Sequence, residues 1–228
     1  MKYHLLYAVA FISLSCVEKT TNRETEPTTT KETTELSEAE KIANNNGIAN
    51  WDKVTQLDFT FNVDRGGKNV AKRSWSWKPK TGDVTMINNT DTITYNRSLI
   101  DSTSLRADQG FVNDKFWLLA PYQLAWDEGL TIETTEGVTS PLSRKQSKKL
   151  TTVYSNDGGY TPGDAYDYFY GDDYMITEWV YRRGNNPEPS MITTFEDYKN
   201  IEGLNIATMH RNEKDDFKLY FTDITVIK

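Results

Sequence analysis

From Leu57 the chain alternates: Leu57, Phe59, Phe61 and Val63 are apolar, and Asp58, Thr60 and Asn62 between them are polar. Successive side chains of a strand point to opposite faces, so this run predicts a strand with one face buried and the other wet. Asp64-Arg65-Gly66-Gly67 makes the turn after it, and Trp75 and Trp77 then share one face of the next strand before a turn at Pro79 to Gly82. Further strands are predicted over 83–87, 91–96, 148–155, 165–170, 174–182, 190–198, 204–212 and 217–227, separated by Gly-, Asn- and Asp-rich turns such as Gly171-Asp172-Asp173 and Glu213-Lys214-Asp215-Asp216. About ten short strands in a meander make a mainly β, antiparallel chain that must close, curl or cover its edges. Two segments break the pattern. Ser37-Glu38-Ala39-Glu40 is a capping box and predicts a short helix stopped around Asn44 to Gly47. Phe116, Trp117, Leu118, Leu119 and Tyr122 cluster without alternation, predicting a helical insert near 111–123 that something apolar must receive.

Ahead of this region the pattern is of another kind. Lys2 is followed by a run of mostly apolar residues to Leu14, then Ser15 and Cys16. The run is too short to cross a hydrocarbon core of ~30 Å and has the layout of a secretory signal over 1–15. Cys16 is the single cysteine of the chain. A lone cysteine in an exported protein closes no internal disulfide, and the stretch around it resembles a bacterial lipobox, which implies cleavage before Cys16 and acylation (palmitate among the chains) of that residue. Each buried methylene contributes ~0.8 kcal/mol, and more than one chain gives a firm anchor. Val17 and Glu18 follow, without the Asp of an inner-membrane retention signal, so outer-membrane localisation is expected, on a side the sequence does not specify. Residues 16–36, rich in Thr and Glu with no aromatic ring, read as a disordered tether. Residues 37–228 remain as one domain.

Charge and composition narrow the function. The formal net charge of −7 disfavours nucleic acid or an anionic lipid surface as a partner. Ser-His-acid or Cys-His catalysis needs an imidazole; His4 leaves with the signal, and His210 falls in a predicted strand, where a structural role is expected. No catalytic residues, metal ligands or cofactor are predicted. Carboxylates gather at Asp157, Asp164, Asp167, Asp172 and Asp173, but Asp and Gly are what turns require, and no EF-type spacing is present. Aromatic residues make up 12% of the chain, with six Trp and thirteen Tyr, enough either to fill a core or to line a pocket. Phe59, Phe61, Trp75, Trp77, Phe116, Trp117, Trp126 and Trp179 are the candidate set, and from the residues alone both uses stand.

A resemblance separates them. The stretches GIANWDKVTQLDFTFNV (47–63), RSWSWKPKTGDVT (73–85), FVNDKFWLLAPYQL (111–124), GGYTPGDAYDYFYGDDYMITEWVY (158–181) and FEDYKNIEGLNIATMH (195–210) are similar to uncharacterised lipoproteins of Bacteroidetes type, related to the LolA/LolB-like lipoprotein-carrier superfamily. The resemblance implies a strongly curved, incomplete antiparallel barrel, with helices in its open mouth and an apolar cavity for acyl chains. The expected function is a non-enzymatic, membrane-anchored lipoprotein that binds a lipid, or the acyl part of a lipoprotein, under a curved sheet. The alternative is an envelope interaction or accessory module that binds glycan or protein through Tyr/Asp-rich hairpins, which requires Tyr160, Tyr166, Tyr168 and Tyr170 exposed together.

Overall fold

The computed structural model describes residues 35–88 and 91–228; the signal, Cys16 and nearly all of the tether expected from the sequence lie outside them. Helix α1 (Glu38–Asn45) begins with the predicted box: Ser37 Oγ accepts the Glu40 N–H, and the Glu40 carboxylate accepts the Ser37 N–H. It stops before Gly47, whose φ is +91°. A Cβ there would sit 2.0 Å from the Gly203 carbonyl oxygen, so only glycine lets the following 3-10 turn (Ile48–Lys53) pass this close to the chain behind it.

Strands β1 (Gln56–Arg65), β2 (Lys68–Lys78), β3 (Asp83–Asn88) and β4 (Asp91–Asn96) form a meander, followed by helix α2 (Leu105–Trp126). Next come β5 (Leu130–Thr139), β6 (Gln146–Tyr154), β7 (Ala165–Tyr170), β8 (Ile176–Arg182) and β9 (Met191–Thr194). The short β10 (Lys199–Ile201), β11 (Leu204–Ile206) and β12 (Met209–Arg211) precede the long β13 (Phe217–Ile227). β13 returns beside β1, giving a six-stranded antiparallel sheet ordered β12-β13-β1-β2-β3-β4; β5 to β9 form a five-stranded sheet in sequence order, and β10-β11 a separate hairpin. At β9 and β12 the two large sheets meet: Glu196 N donates to Met209 O at 2.9 Å, and Arg211 N to Thr194 Oγ1 at 3.0 Å.

The result is the expected mainly β architecture, an antiparallel wall that curves without closing and holds a helix. Its strands are shared among three sheets rather than running through one. The predicted strand 204–212 is interrupted at Ala207 and Thr208, where the chain passes from the β10-β11 hairpin to the large sheet. β5 has no predicted counterpart. Nearly all of its positions are exposed, so it carries no buried face to announce it, and its Thr and Glu side chains suit an outer edge.

Helix α2 starts earlier than the insert foreseen from the sequence; Asp101 Oδ1 accepts the N–H groups of Thr103 and Ser104 and holds the turn that leads into it. From Trp117 to Leu124 every residue is buried, the signature of a helix inside a protein rather than on it. Pro121 cannot donate to the Trp117 carbonyl, and the helix breaks at Leu119 (φ −118°, ψ 19°). Beyond the break the Tyr122 hydroxyl donates to the Asn46 carbonyl and faces that of Asn205, fastening α2 to the α1 end and to β11. No helix among the described residues is long and apolar enough to cross a membrane.

Candidate functional site

α2 divides the space inside the curved wall into two unlike sides. On one, the ring of Phe111 packs edge-on against Trp75 and Trp77, with centroids 5.5 and 5.4 Å away. Trp51 continues the stack, 5.5 Å from Trp77 and 4.7 Å from Trp126. The Asp114 carboxylate is fully buried here, accepting from Arg73 Nε and Nη2 at 2.7 Å each and from the Trp75 indole at 2.9 Å. Burial pushes its carboxyl upward in pKa, against the pull of the Arg73 guanidinium.

On the other side the packing stops short. A cavity of about 390 Å³ lies between β1 and β13 of the larger sheet, β6 to β9 of the smaller one, and α2. Phe61, Val63, Phe217 and Leu219 form one wall, Tyr154, Tyr166, Trp179, Tyr181 and Met191 the facing wall, and Val112, Phe116 and Trp117 the helical side. The rings interlock behind the surface: Trp117 lies 4.3 Å from Trp179, and Phe116 lies 4.6 Å from Tyr166. The mouth is polar, formed by the exposed Arg65, Gln109, Thr161 and Arg183 together with Tyr160. Burial raises the hydroxyl pKa of Tyr154, Tyr166 and Tyr181, so the wall carries no charge at neutral pH. Tyr160 reaches from the β6–β7 loop to α2, donating to Asp108 Oδ2 at 2.7 Å; the same buried carboxylate takes Arg97 Nε at 2.9 Å and the Tyr95 hydroxyl at 3.1 Å.

Of the eight residues predicted for a cavity, Phe61, Phe116, Trp117 and Trp179 line it together. Phe59, Trp75 and Trp77 are instead in the solid side, and Trp126 is half-buried beside Trp51 and Tyr122. Strand register separates them. Along one face of β1, Leu57, Phe59, Phe61 and Val63 are paired with Trp77, Trp75, Arg73 and Ala71 of β2, so side-chain size steps down toward the β1–β2 turn and the space opens there. Val63, Leu219, Met191, Tyr154 and Tyr181 were not singled out, and Tyr160 and Tyr166 were named only for the alternative reading, since their place here follows from pairing across two sheets. The turn arginine Arg65 was legible only as part of Asp64-Arg65-Gly66-Gly67.

The tyrosines needed by the alternative reading do not share a surface. Tyr166, Tyr168 and Tyr170 are buried, and only Tyr160 is exposed. The nearby carboxylates are engaged: Asp164 accepts from the Tyr181 hydroxyl and the Gly184 N–H at 2.7 Å each, and Asp167 pairs with Arg182 at 3.0 Å. Among the described residues no three His, Cys, Asp or Glu side chains gather as a metal site. His210 is buried with Nδ1 3.0 Å from the Thr194 carbonyl and its ring against Trp117, Phe195 and Phe221; burial holds its pKa at about 4. It is neutral and remote from solvent, as a structural histidine is.

No protein-family model matches the sequence, and no curated protein does. Among solved structures, a DUF1329 family protein from Desulfovibrio piger superposes with a TM-score of 0.47 and 9% identity, over 83% of this chain and 91% of that one. The lipoprotein LppX of Mycobacterium tuberculosis superposes with a TM-score of 0.26 and 8% identity, over 82% and 94% of the two chains. Overlap this loose adds nothing to the reading of the site, and the Bacteroidetes-type group suggested by the sequence finds no counterpart in either.

Proposed function

We propose that the chain is a non-enzymatic lipoprotein of the cell envelope, held to the outer membrane through acylated Cys16, that takes up one acyl chain in the cavity beside α2. The observation that carries this reading is a hollow lined by aromatic and aliphatic side chains from both sheets and α2. Its volume of about 390 Å³ is near the low end of the ~300–1,000 Å³ usual for small-molecule sites. That suits a single acyl chain and not the several chains of an intact lipoprotein terminus, which favours the lipid over the lipoprotein as cargo. Against the glycan- or protein-binding alternative stands the burial of Tyr166, Tyr168 and Tyr170.

Native mass spectrometry of the full chain, extracted from membranes in mild detergent, should show a one-to-one lipid adduct. After delipidation the chain should take up dansyl-labelled undecanoate, with energy transfer from Trp117 and Trp179. Leu219→Trp, which fills the hollow, should abolish the transfer. Absence of both adduct and uptake would refute the proposal.

A further inference from the structure

The rim of the cavity carries a charge that the rest of the molecule does not. The chain has 33 acidic against 26 basic residues, yet among the described residues lining the cavity there are two arginines, Arg65 and Arg183, and no Asp or Glu. Chance placement in an acidic protein would favour the opposite sign. The two arginines also come from different sheets. Arg65 ends β1, and Arg183 follows β8, so their convergence on one opening is a product of the fold and not of neighbouring sequence.

Both retain donors for a ligand. The Arg65 guanidinium lies 5.1 Å from the centre of the Phe217 ring, a position that holds its plane over the cavity wall, and among the described residues it makes no ion pair. Arg183 bonds the Tyr181 hydroxyl, and the nearby Asp164 is already taken by Tyr181 and the Gly184 N–H. A guanidinium has five N–H donors, so neither arginine is saturated. Gln109, Asn113 and Thr161 add neutral polar groups around them. The interior below offers no charge.

Granted that the cavity holds an acyl chain, we propose that its occupant is a single-chain amphiphile with an anionic head, a carboxylate or a phosphate, gripped at the mouth between Arg65 and Arg183. The chain lies against Phe61, Trp117, Trp179 and Leu219, and the head receives charge-assisted hydrogen bonds from both sheets. A cationic head is repelled, and a neutral head forgoes those bonds while still placing its chain inside.

The test is a calorimetric titration of the full chain in lipid nanodiscs, with empty nanodiscs as blank, using dodecanoate, dodecyl phosphate, dodecanol, dodecyltrimethylammonium and inorganic phosphate. Dodecanoate or dodecyl phosphate should bind at least tenfold tighter than dodecanol, and whichever of the two binds tighter identifies the head. Dodecyltrimethylammonium should bind most weakly of the chains, and the anionic preference should shrink as salt is raised. Arg65→Gln and Arg183→Gln, both changes of exposed side chains, should each weaken the two anions by a larger factor than dodecanol and so erode that preference. Dodecanol binding as tightly as the anions, or a preference that survives both substitutions together, overturns the anionic head while leaving chain binding in place. Inorganic phosphate binding as tightly as dodecyl phosphate overturns the amphiphile in favour of a simple anion site. If no probe that carries a chain binds, the cavity reading fails and this inference fails with it.

Discussion

The two sides of α2 both border the larger sheet and end differently. Where β1 pairs with Trp75 and Trp77, a tryptophan stack, Phe111 and the Arg73–Asp114 pair pack closely, and space of about 590 Å³ is left only further out, between α2 and Met86 and Ile93 of β3 and β4; two to four residues further along β1, where the partners are Arg73 and Ala71, an aromatic-lined cavity of about 390 Å³ remains. Protein interiors are normally as dense as organic crystals, and an empty apolar volume forfeits dispersion contacts along its whole lining. The solid side can therefore carry the stability of the fold and free the other side to stay unfilled. The contrast makes separable demands: damage to the solid side should be felt in stability, and changes to the hollow side mainly in binding.

The largest effect should come from Asp114. Truncation to Ala leaves the Arg73 guanidinium half-buried without its carboxylate and the Trp75 indole without its acceptor. A broken buried pair costs about 3–5 kcal/mol, to be read as a lowered urea midpoint at constant slope. A loss below one kilocalorie would mean that the solid side is not where stability resides.

Next in size is a pH effect centred on His210, which borders the cavity through Trp117. Its folded pKa is about 4 against an ordinary 6.5, because burial opposes the charged ring. Between pH 6.5 and 4 the unfolded chain binds a proton that the native chain refuses, so stability falls as the pH is lowered through that window, by on the order of 3 kcal/mol. His210→Phe should remove this part of the acid limb, seen as the difference between the two stability profiles. Parallel profiles would argue against a buried neutral imidazole.

A matched pair of enlargements then compares the sides directly. Val84 of β3 sits between Trp77 and Tyr95 in register, and Val84→Phe should overpack the solid side at a cost of about 1–3 kcal/mol. Val63→Phe sends the same extra ring toward the cavity; thermal unfolding should show no loss, with the uptake of dansyl-undecanoate reduced at least tenfold. Equal penalties at the two valines would erase the distinction.

How far the sequence carried this picture depended on the range of the information. The Ser37–Glu40 box and the alternation from Leu57 to Val63 are local, and α1, β1, β7 and β13 follow the expected boundaries closely. β5 was invisible because an exposed edge has no buried face, and α2 was shortened because its start follows a turn held by Asp101 rather than apolar spacing. For the site, Phe61, Phe116, Trp117 and Trp179 could be named as large aromatics, but so could Phe59, Trp75 and Trp77. Phe61 is divided from Phe59 by the size of its partner across the sheet, and Phe116, Trp117 and Trp179 are brought to it by the approach of α2 and β8, long-range arrangements that one strand's sequence does not contain. The rim arginines depend on an even longer range, the approach of β1 to β8 across the interior.

The smallest expected effect concerns the mouth. Tyr160 joins the β6–β7 loop to α2 through one hydrogen bond to Asp108, at 2.7 Å. Tyr160→Phe removes only the hydroxyl, and Asp108 keeps Arg97 and Tyr95 as donors, so the global cost should be about 1 kcal/mol. Its consequence for the hollow side should be kinetic. The ring stands at the rim, and with its hydroxyl anchor gone the loop opens more often, so stopped-flow measurement of dansyl-undecanoate should show entry and release both accelerated, with the equilibrium affinity changed far less than either rate. A change in affinity with unaltered rates would place Tyr160 among the ligand's own contacts, and the solid and hollow sides would then differ in their walls alone and not in how they are closed.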